Sequence, residues 1–284
     1  MIIKFKIYKK IVNLVYEWKI VNNKYVAKLG KKIHYLIKPK HIEIFGFKLF
    51  LDQYDQLMLS VKEYPIHPIL KKIIKKGDNV IDVGGNIGVL TLYFRSLVGD
   101  VGKIYSFEPD PVAFTILKKN IIENFLENVI IENKAVSNKN KVIGFEVSKQ
   151  ITAGRIKEND DSMIKVECVS LDNYFSKKLL KIDFVKIDAE GFDWAVLQGM
   201  KNIIKSNPKI KIMVEFHSEL LKSSGINPRE FLKIIEEFNF KIYDIGGLFD
   251  KFEFLDTEKL EIFAKTPNSS NLLCIQDRIN FKMD

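Results

Sequence analysis

Residues 79–91 read as a strand, a glycine-rich turn and the start of a helix, in that order. Val80 to Val83 is an apolar run of the kind buried on both faces of a sheet. Ile87, Leu90, Tyr93/Phe94 and Leu97 then recur at helical spacing. Gly84, Gly85 and Gly88 fall between the two patterns. Lacking a Cβ, they can take positive φ or let a ligand approach the backbone. A strand that breaks at glycines into a helix is the front of a nucleotide-binding α/β unit.

The spacing separates two ligand classes. A dinucleotide fingerprint needs G-x-G-x-x-G, with pyrophosphate on the helix N-terminus. Counted from Gly84, the second and third glycine places hold Asn86 and Val89, so that pattern fails. What stands here is D-x-G-x-x-x-G, with Asp82 at the strand end. An acid before the glycines would repel a diphosphate. It suits a positively charged ligand, such as the ammonium end of S-adenosylmethionine. The next strand, Lys103–Phe107, runs into Glu108-Pro109-Asp110, and a carboxylate there can accept both hydroxyls of a ribose. The plain alternative is a structural glycine turn with a capping aspartate.

The length suits one large α/β domain with an N-terminal extension, and the apolar share of 46% is ordinary for a globular chain. The net charge of +9 is unevenly placed: residues 1–40 hold eleven lysines and one acid, Glu17, so the rest is close to neutral. A nucleic-acid enzyme more often carries its basic residues around the catalytic face. Cys168 and Cys274 form no C-x-x-C; they fit a reducing compartment, and a cytoplasmic location is expected.

Phe5, Tyr8, Val12, Val15 and Trp18 lie at helical spacing among lysines. Residues 1–40 are therefore expected to form a basic amphipathic arm, able either to pack on the domain or, through residues 1–30, to touch an anionic membrane peripherally. No apolar run is long enough to span a bilayer, and no small-residue cleavage site follows one. Residues 41–76 are expected to cover the active site. They would do so with short strands, Ile42–Phe45 and Phe47–Leu51, about Gly46, then a helical stretch to Tyr64 and an amphipathic helix from Ile69.

From residue 77 to 267 the pattern alternates strand and helix. Helix Val112–Phe125 leads to a strand at Val129–Glu132, and the turn at Ala135–Val136 is expected to pass the adenine. More β structure follows over residues 141–170, around a polar loop, 148–162, that is a candidate substrate loop. Strand Ile182–Ile187 ends in Asp188-Ala-Glu190-Gly191, before one helix running from Trp194 to Ile204. Strand Ile210–Val214 ends in Glu215-Phe-His217. Pro228 opens another helix, and Phe240–Tyr243 and Glu261–Ala264 are expected as strands six and seven. Residues 268–284 carry no pattern and are read as a tail.

Acids thus gather at four strand ends: Asp82, Glu108, Asp188 with Glu190, and Glu215 with His217. Open α/β sheets bind ligands at that edge. One acid can hold an amine, another a ribose, and a third can take a proton from a substrate hydroxyl. His217 has the right chemistry for a base and is as readily structural. Asp188 could instead cap the following helix, and Glu190 could pair with Lys186. Asp188, Glu190, Glu215 and His217 could also hold a divalent metal, although nothing in their spacing demands one. His34, His41 and His67 lack supporting context.

Taken together, Ile81–Gly88, Phe107–Asp110, Ala135–Ser137, Ser170–Asp172, Val185–Gly191 and Val214–His217 resemble the FkbM family of S-adenosylmethionine-dependent methyltransferases, over roughly residues 45–265. The resemblance implies a class I methyltransferase fold. This is a Rossmann-like, seven-stranded, mostly parallel sheet with helices on both faces, here behind an N-terminal extension. It implies O-methylation of a sugar, glycan, lipid or other small molecule. Carried onto this chain, it gives S-adenosylmethionine to Asp82, Gly84, Gly85, Asn86, Gly88, Glu108, the Ala135–Val136 turn and Asp188. Asp188, Glu190, Glu215 and His217 would face the acceptor. Two alternatives stand beside it: an RNA methyltransferase holding phosphates with the basic arm, and a non-catalytic cofactor-binding module. The amino-methylating type of the first usually carries an Asn/Asp-Pro-Pro-Tyr/Phe motif where this chain has Asp188-Ala-Glu-Gly191, which argues against it.

Overall fold

A computed structural model describes residues 39–51, 68–146, 155–156, 164–178, 180–246, 252–267 and 269–276. The amphipathic arm up to residue 38, the helical stretch before Tyr64, His34, His67, most of the 148–162 loop and residues 277–284 lie outside them. The chain divides into two units, residues 1–64 and 65–284.

In the first unit, β1 (Ile42–Ile44) and β2 (Phe47–Leu49) form an antiparallel hairpin, with Ile42 opposite Leu49. Phe45 and Gly46 both have positive φ, 52° and 86°. A two-residue turn of that hand matches the twist of the strands it joins.

The second unit opens with helix α1 (Ile69–Ile73) and strand β3 (Asn79–Val83). Helix α2 (Val89–Val98), strand β4 (Lys103–Phe107), helix α3 (Pro111–Glu123) and strand β5 (Val129–Glu132) follow. Asp110 caps α3 by accepting from the amides of Val112 and Ala113, with Pro111 at its first turn. Next come the short strand β6 (Ala135–Val136), β7 (Lys141–Glu146), β8 (Arg155–Ile156), β9 (Ile164–Val169) and helix α4 (Leu171–Phe175). The core resumes with β10 (Phe184–Ile187), α5 (Asp193–Gln198), α6 (Lys201–Ser206), β11 (Lys211–His217), α7 (Ser218–Ser223) and α8 (Pro228–Glu237). It closes with β12 (Phe240–Gly246), β13 (Glu253–Phe254), α9 (Thr257–Lys265) and β14 (Ser269–Gln276).

Eight strands form the main sheet in the order β13-β12-β14-β11-β10-β3-β4-β5. The two-residue β13 sits at one edge, beside the seven longer strands. The run β11-β10-β3-β4-β5 is parallel, and β14 lies antiparallel between β11 and β12. Strand order reverses between β3 and β10, so the crevice above their C-terminal ends is where such a sheet takes its ligand. The core holding this sheet includes Phe107, Phe216 and Phe231, each fully buried. A second sheet, β6-β9-β7-β8, has its own small core of Ala135, Ile143, Phe145, Val166 and Cys168.

Four expectations need correcting. Glu261–Ala264 is helix, not the seventh strand. Asp256 caps it by accepting from Lys259 N, and Leu260 and Ala264, one helical turn apart, are buried. The seventh strand is β14, inside the region read as a tail, so the sheet runs past residue 267. Its apolar run Leu272–Ile275 is buried because β11 and β12 flank it on both sides. Ala135–Val136 is a strand and not a turn: it pairs in parallel with Cys168–Val169, and both side chains are buried. The single helix over Trp194–Ile204 is two helices. A Cβ on Gly199 would stand 2.1 Å from Ser137 O, and the Asp172 carboxylate accepts from Asn202 N and Ile203 N, starting α6 afresh.

Candidate active site

The turn from Gly84 to Gly88 folds back over the end of β4. The amides of Gly84 and Gly85 both donate to Phe107 O, at 2.9 and 3.0 Å. Gly84 has φ +75°, and a Cβ there would lie 2.1 Å from Asp188 O. One added carbon at Gly85 would meet Ser106 Oγ at 2.1 Å. These glycines are therefore required by close packing of three strand ends. Asn86 is left-handed, with φ 49°, and Gly88 sits at the N-cap of α2.

Asp82 is completely enclosed beneath this turn. Its Oδ2 accepts from Thr91 Oγ1 at 2.6 Å, and its Oδ1 lies 3.8 Å from Lys186 Nζ. Burial raises its pKa against the pull of Lys186 and Thr91. Its carboxylate thus ties β3 to α2 through Thr91 and faces Lys186.

Glu108 joins two turns. Its Oε2 accepts from Asn86 N at 2.7 Å and its Oε1 from Asp110 N at 2.8 Å. It is 6% exposed, and burial pushes its carboxyl up to about 7 although both amides favour the ionised form. Asn133 Nδ2 donates to Glu108 O and Pro109 O, fixing this turn from the β5 side.

Lys186 is a buried lysine in a strand core, 4% exposed. It stands opposite Asp82 in the register of β10 against β3. Its ammonium donates to Val83 O at 3.2 Å and Gly84 O at 3.0 Å, and pairs with Asp188 Oδ2 at 3.2 Å. Asp188, its side chain 36% exposed, is the acid of this group that solvent reaches, whereas Asp82 is enclosed.

Glu190 (φ 50°) and Gly191 (φ 95°) reverse the chain after Asp188. Asp193 holds the reversal, with Oδ1 accepting from Ala189 N and Oδ2 from Gly191 N. Asp193, not Asp188, is thus the structural carboxylate of this loop. Burial, then the charge of Asp188, pushes it up to about 6. Glu215 and His217 lie in β11 itself. Burial, reinforced by Asp188, Asp193 and Glu190, pushes Glu215 up to about 9. His217 Nδ1 accepts from Leu220 N at 3.4 Å and caps α7. Among the described residues no three His, Cys, Asp or Glu side chains gather closely enough to share a metal ion. Among the described residues, too, no helix is long and apolar enough to cross a membrane.

The structure therefore joins Asp82, Gly84, Lys186 and Asp188 in one contact group, and Asn86 with Glu108 in another. It leaves Ala135 and Val136 buried away from the surface. Lys186, Asp193, Thr91 and Asn133 are the additions that the sequence alone did not assign to the site. Lys186 had a signal, a charge inside an otherwise apolar strand. Asp193 had none, because its role depends on two left-handed residues.

The Methyltransferase FkbM domain matches residues 82–242, more than half of the chain and every strand end just described. The chain belongs to this family. It has the class I methyltransferase fold and is an S-adenosylmethionine-dependent methyltransferase. Among its relatives is AglP, the hexuronic acid methyltransferase of Haloferax volcanii, 27% identical over 176 residues that span 62% of this chain and 68% of AglP. A Sulfolobus acidocaldarius protein named a probable cobalt-precorrin-6B C(15)-methyltransferase is 30% identical over 31% of this chain and 46% of its own length. Among solved structures, methyltransferase FkbM from Methylobacillus flagellatus superposes with a TM-score of 0.45 at 12% identity, covering 87% of this chain and 60% of that one.

Proposed function

We propose that this FkbM-family chain methylates a hydroxyl of a sugar, glycan or other small polyhydroxylated molecule. The observation that carries the reading is Asp188. It is a carboxylate at the crevice between β3 and β10, oriented by Lys186 and still partly exposed. The hexuronic acid methyltransferase among the relatives supports a sugar acceptor.

The residues present fit S-adenosylmethionine. Each oxygen of Glu108 accepts one amide and keeps a further lone pair, enough for the two hydroxyls of a ribose. Gly84, Gly85, Asn86 and Gly88 bring backbone, and no side chain beyond Asn86, to the same edge. Asp188 and Glu190 make the crevice electronegative, which suits a sulfonium and disfavours a polyanion such as RNA. When bound, the cofactor supplies a methyl group already activated on a positively charged sulfur.

The acceptor must be held in line with that methyl and lose its proton. Asp188 would take the proton from the acceptor hydroxyl as that oxygen accepts the methyl group. Glu215, kept protonated near neutrality by burial and then by the neighbouring acids, serves as a hydrogen-bond donor to the sugar. Glu190 helps to orient the acceptor. His217 keeps Nδ1 on the α7 cap and offers Nε2–H to the sugar.

The test is transfer from methyl-labelled S-adenosylmethionine to a panel of neutral sugars, uronates and amino sugars, followed by mild alkali. The proposal expects a base-stable methyl ether on a hydroxyl. Label found only on nitrogen, or only as a base-labile ester, overturns it.

A further inference from the structure

We propose that Lys186 is a positioning residue that locks the cofactor turn and the base-bearing loop into one unit. Its ammonium touches the last residue of β3 through Val83 O, the first residue of the glycine turn through Gly84 O, and the carboxylate that follows β10 through Asp188 Oδ2.

The geometry follows from the fold. Lys186 and Asp82 are register partners on adjacent parallel strands, so their side chains share one face of the sheet. Both are buried, and a lysine is almost never buried unless paired. The long lysine stem carries its charge upward to the C-terminal edge, whereas Asp82 remains below and is fixed to α2 through Thr91. The ammonium therefore ends between two chain reversals, the Gly84 turn and the Asp188–Gly191 loop. These reversals are packed so closely that a Cβ on Gly84 would strike Asp188 O.

A carbonyl held by an ammonium cannot rotate without losing a charge-assisted hydrogen bond. Fixing Gly84 O fixes the plane of the Gly84–Gly85 peptide, and with it the direction in which the turn meets the methionine end of the cofactor. The same ammonium fixes the Asp188 carboxylate. One residue thus sets both the donor and the proton acceptor, and the in-line geometry that methyl transfer needs depends on their mutual placement. This inference rests on assigning Gly84 to the cofactor and Asp188 to the acceptor.

A single Lys186→Met change would leave Asp82 buried without its partner, and that variant can fail simply by unfolding. The decisive comparison is therefore Asp82→Asn against Asp82→Asn/Lys186→Met in the full chain, with Lys259→Met as a surface control. Calorimetric titration with S-adenosylhomocysteine is read beside thermal unfolding. The double variant is expected to unfold at a temperature close to that of Asp82→Asn. It should bind S-adenosylhomocysteine about tenfold more weakly or worse, the loss expected for one hydrogen bond from a charged group. With an accepted sugar, its kcat should fall about tenfold or more while the acceptor KM stays within about threefold. Equal affinity for S-adenosylhomocysteine in the two variants overturns the proposal. So does a loss that tracks unfolding alone. Because this affinity is read without an acceptor, methylation of nitrogen by the wild type would sink the hydroxyl reading and leave the Lys186 result standing.

Discussion

Glu108, at the end of β4, accepts a 2.7 Å hydrogen bond from the amide of Asn86 in the neighbouring turn. The acid that the sequence marks as a ribose ligand is therefore also the strut that shapes the glycine turn. Cofactor hydroxyls donate to a carboxylate, so they bind its ionised form. With burial holding Glu108 at about 7, affinity for S-adenosylhomocysteine should rise as pH passes through 7 and then level off. Titrations at pH values on either side check this, and an affinity that falls with rising pH would contradict it.

Gly84→Ala should cost more than Gly225→Ala. Both positions have positive φ, +75° and +77°, so both carry the same backbone strain. Only Gly84 also meets backbone, at 2.1 Å from Asp188 O, whereas Gly225 faces open space. The expected losses are about 1 kcal/mol at Gly225 and about 3 kcal/mol at Gly84, read from urea unfolding.

Asp193→Ala leaves the amides of Ala189 and Gly191 without the carboxylate that holds them. Two amide-to-carboxylate bonds, one buried and one part-buried, are worth about 2 kcal/mol. Stability should fall by that amount, and acceptor turnover should fall with it because Glu190 and Asp188 lose their frame. Affinity for S-adenosylhomocysteine should change much less.

Asp188→Asn removes the proposed proton acceptor and keeps its shape. Turnover should drop by about a hundredfold to ten-thousandfold. An unchanged rate would move the base elsewhere in the crevice.

Stability should fall as pH rises from 4.5 to about 9. Burial is the largest cause raising Asp193, Glu108 and Glu215, to about 6, 7 and 9. Each keeps its proton in the folded chain after the unfolded chain has released it. Their contribution is therefore complete below the usual carboxylate range and is lost as pH climbs through those values. Denaturation midpoints measured across this interval test the sign.

Much of this was legible because local pattern and tertiary demand agree. Lys103–Phe107 and Val129–Glu132 are apolar-rich runs between turn residues, and both are strands with those bounds. The Asp82–Gly88 spacing by itself separates two cofactor classes. Where reading failed, the deciding partner lay far away in sequence. β14 looks patternless from Ser269 to Asn271 and becomes a strand only between β11 and β12. Glu261–Ala264 is apolar enough for a strand in a short window, and its helical cap, Asp256, lies five residues upstream. The Ala135–Val136 strand exists because Cys168–Val169 comes back beside it. Lys186 was visible as a charge in an apolar strand, but its role needed the register that sets it against Asp82.

The most direct test is calorimetric titration of S-adenosylmethionine into the wild type and into Glu108→Gln, which keeps the size of the side chain. The wild type should bind with a Kd of about micromolar order, and the variant about tenfold more weakly or worse, having lost charged acceptors for the ribose and for Asp110 N. Equal affinity in the two folded proteins would contradict the placement of the cofactor at the Gly84 turn and Glu108.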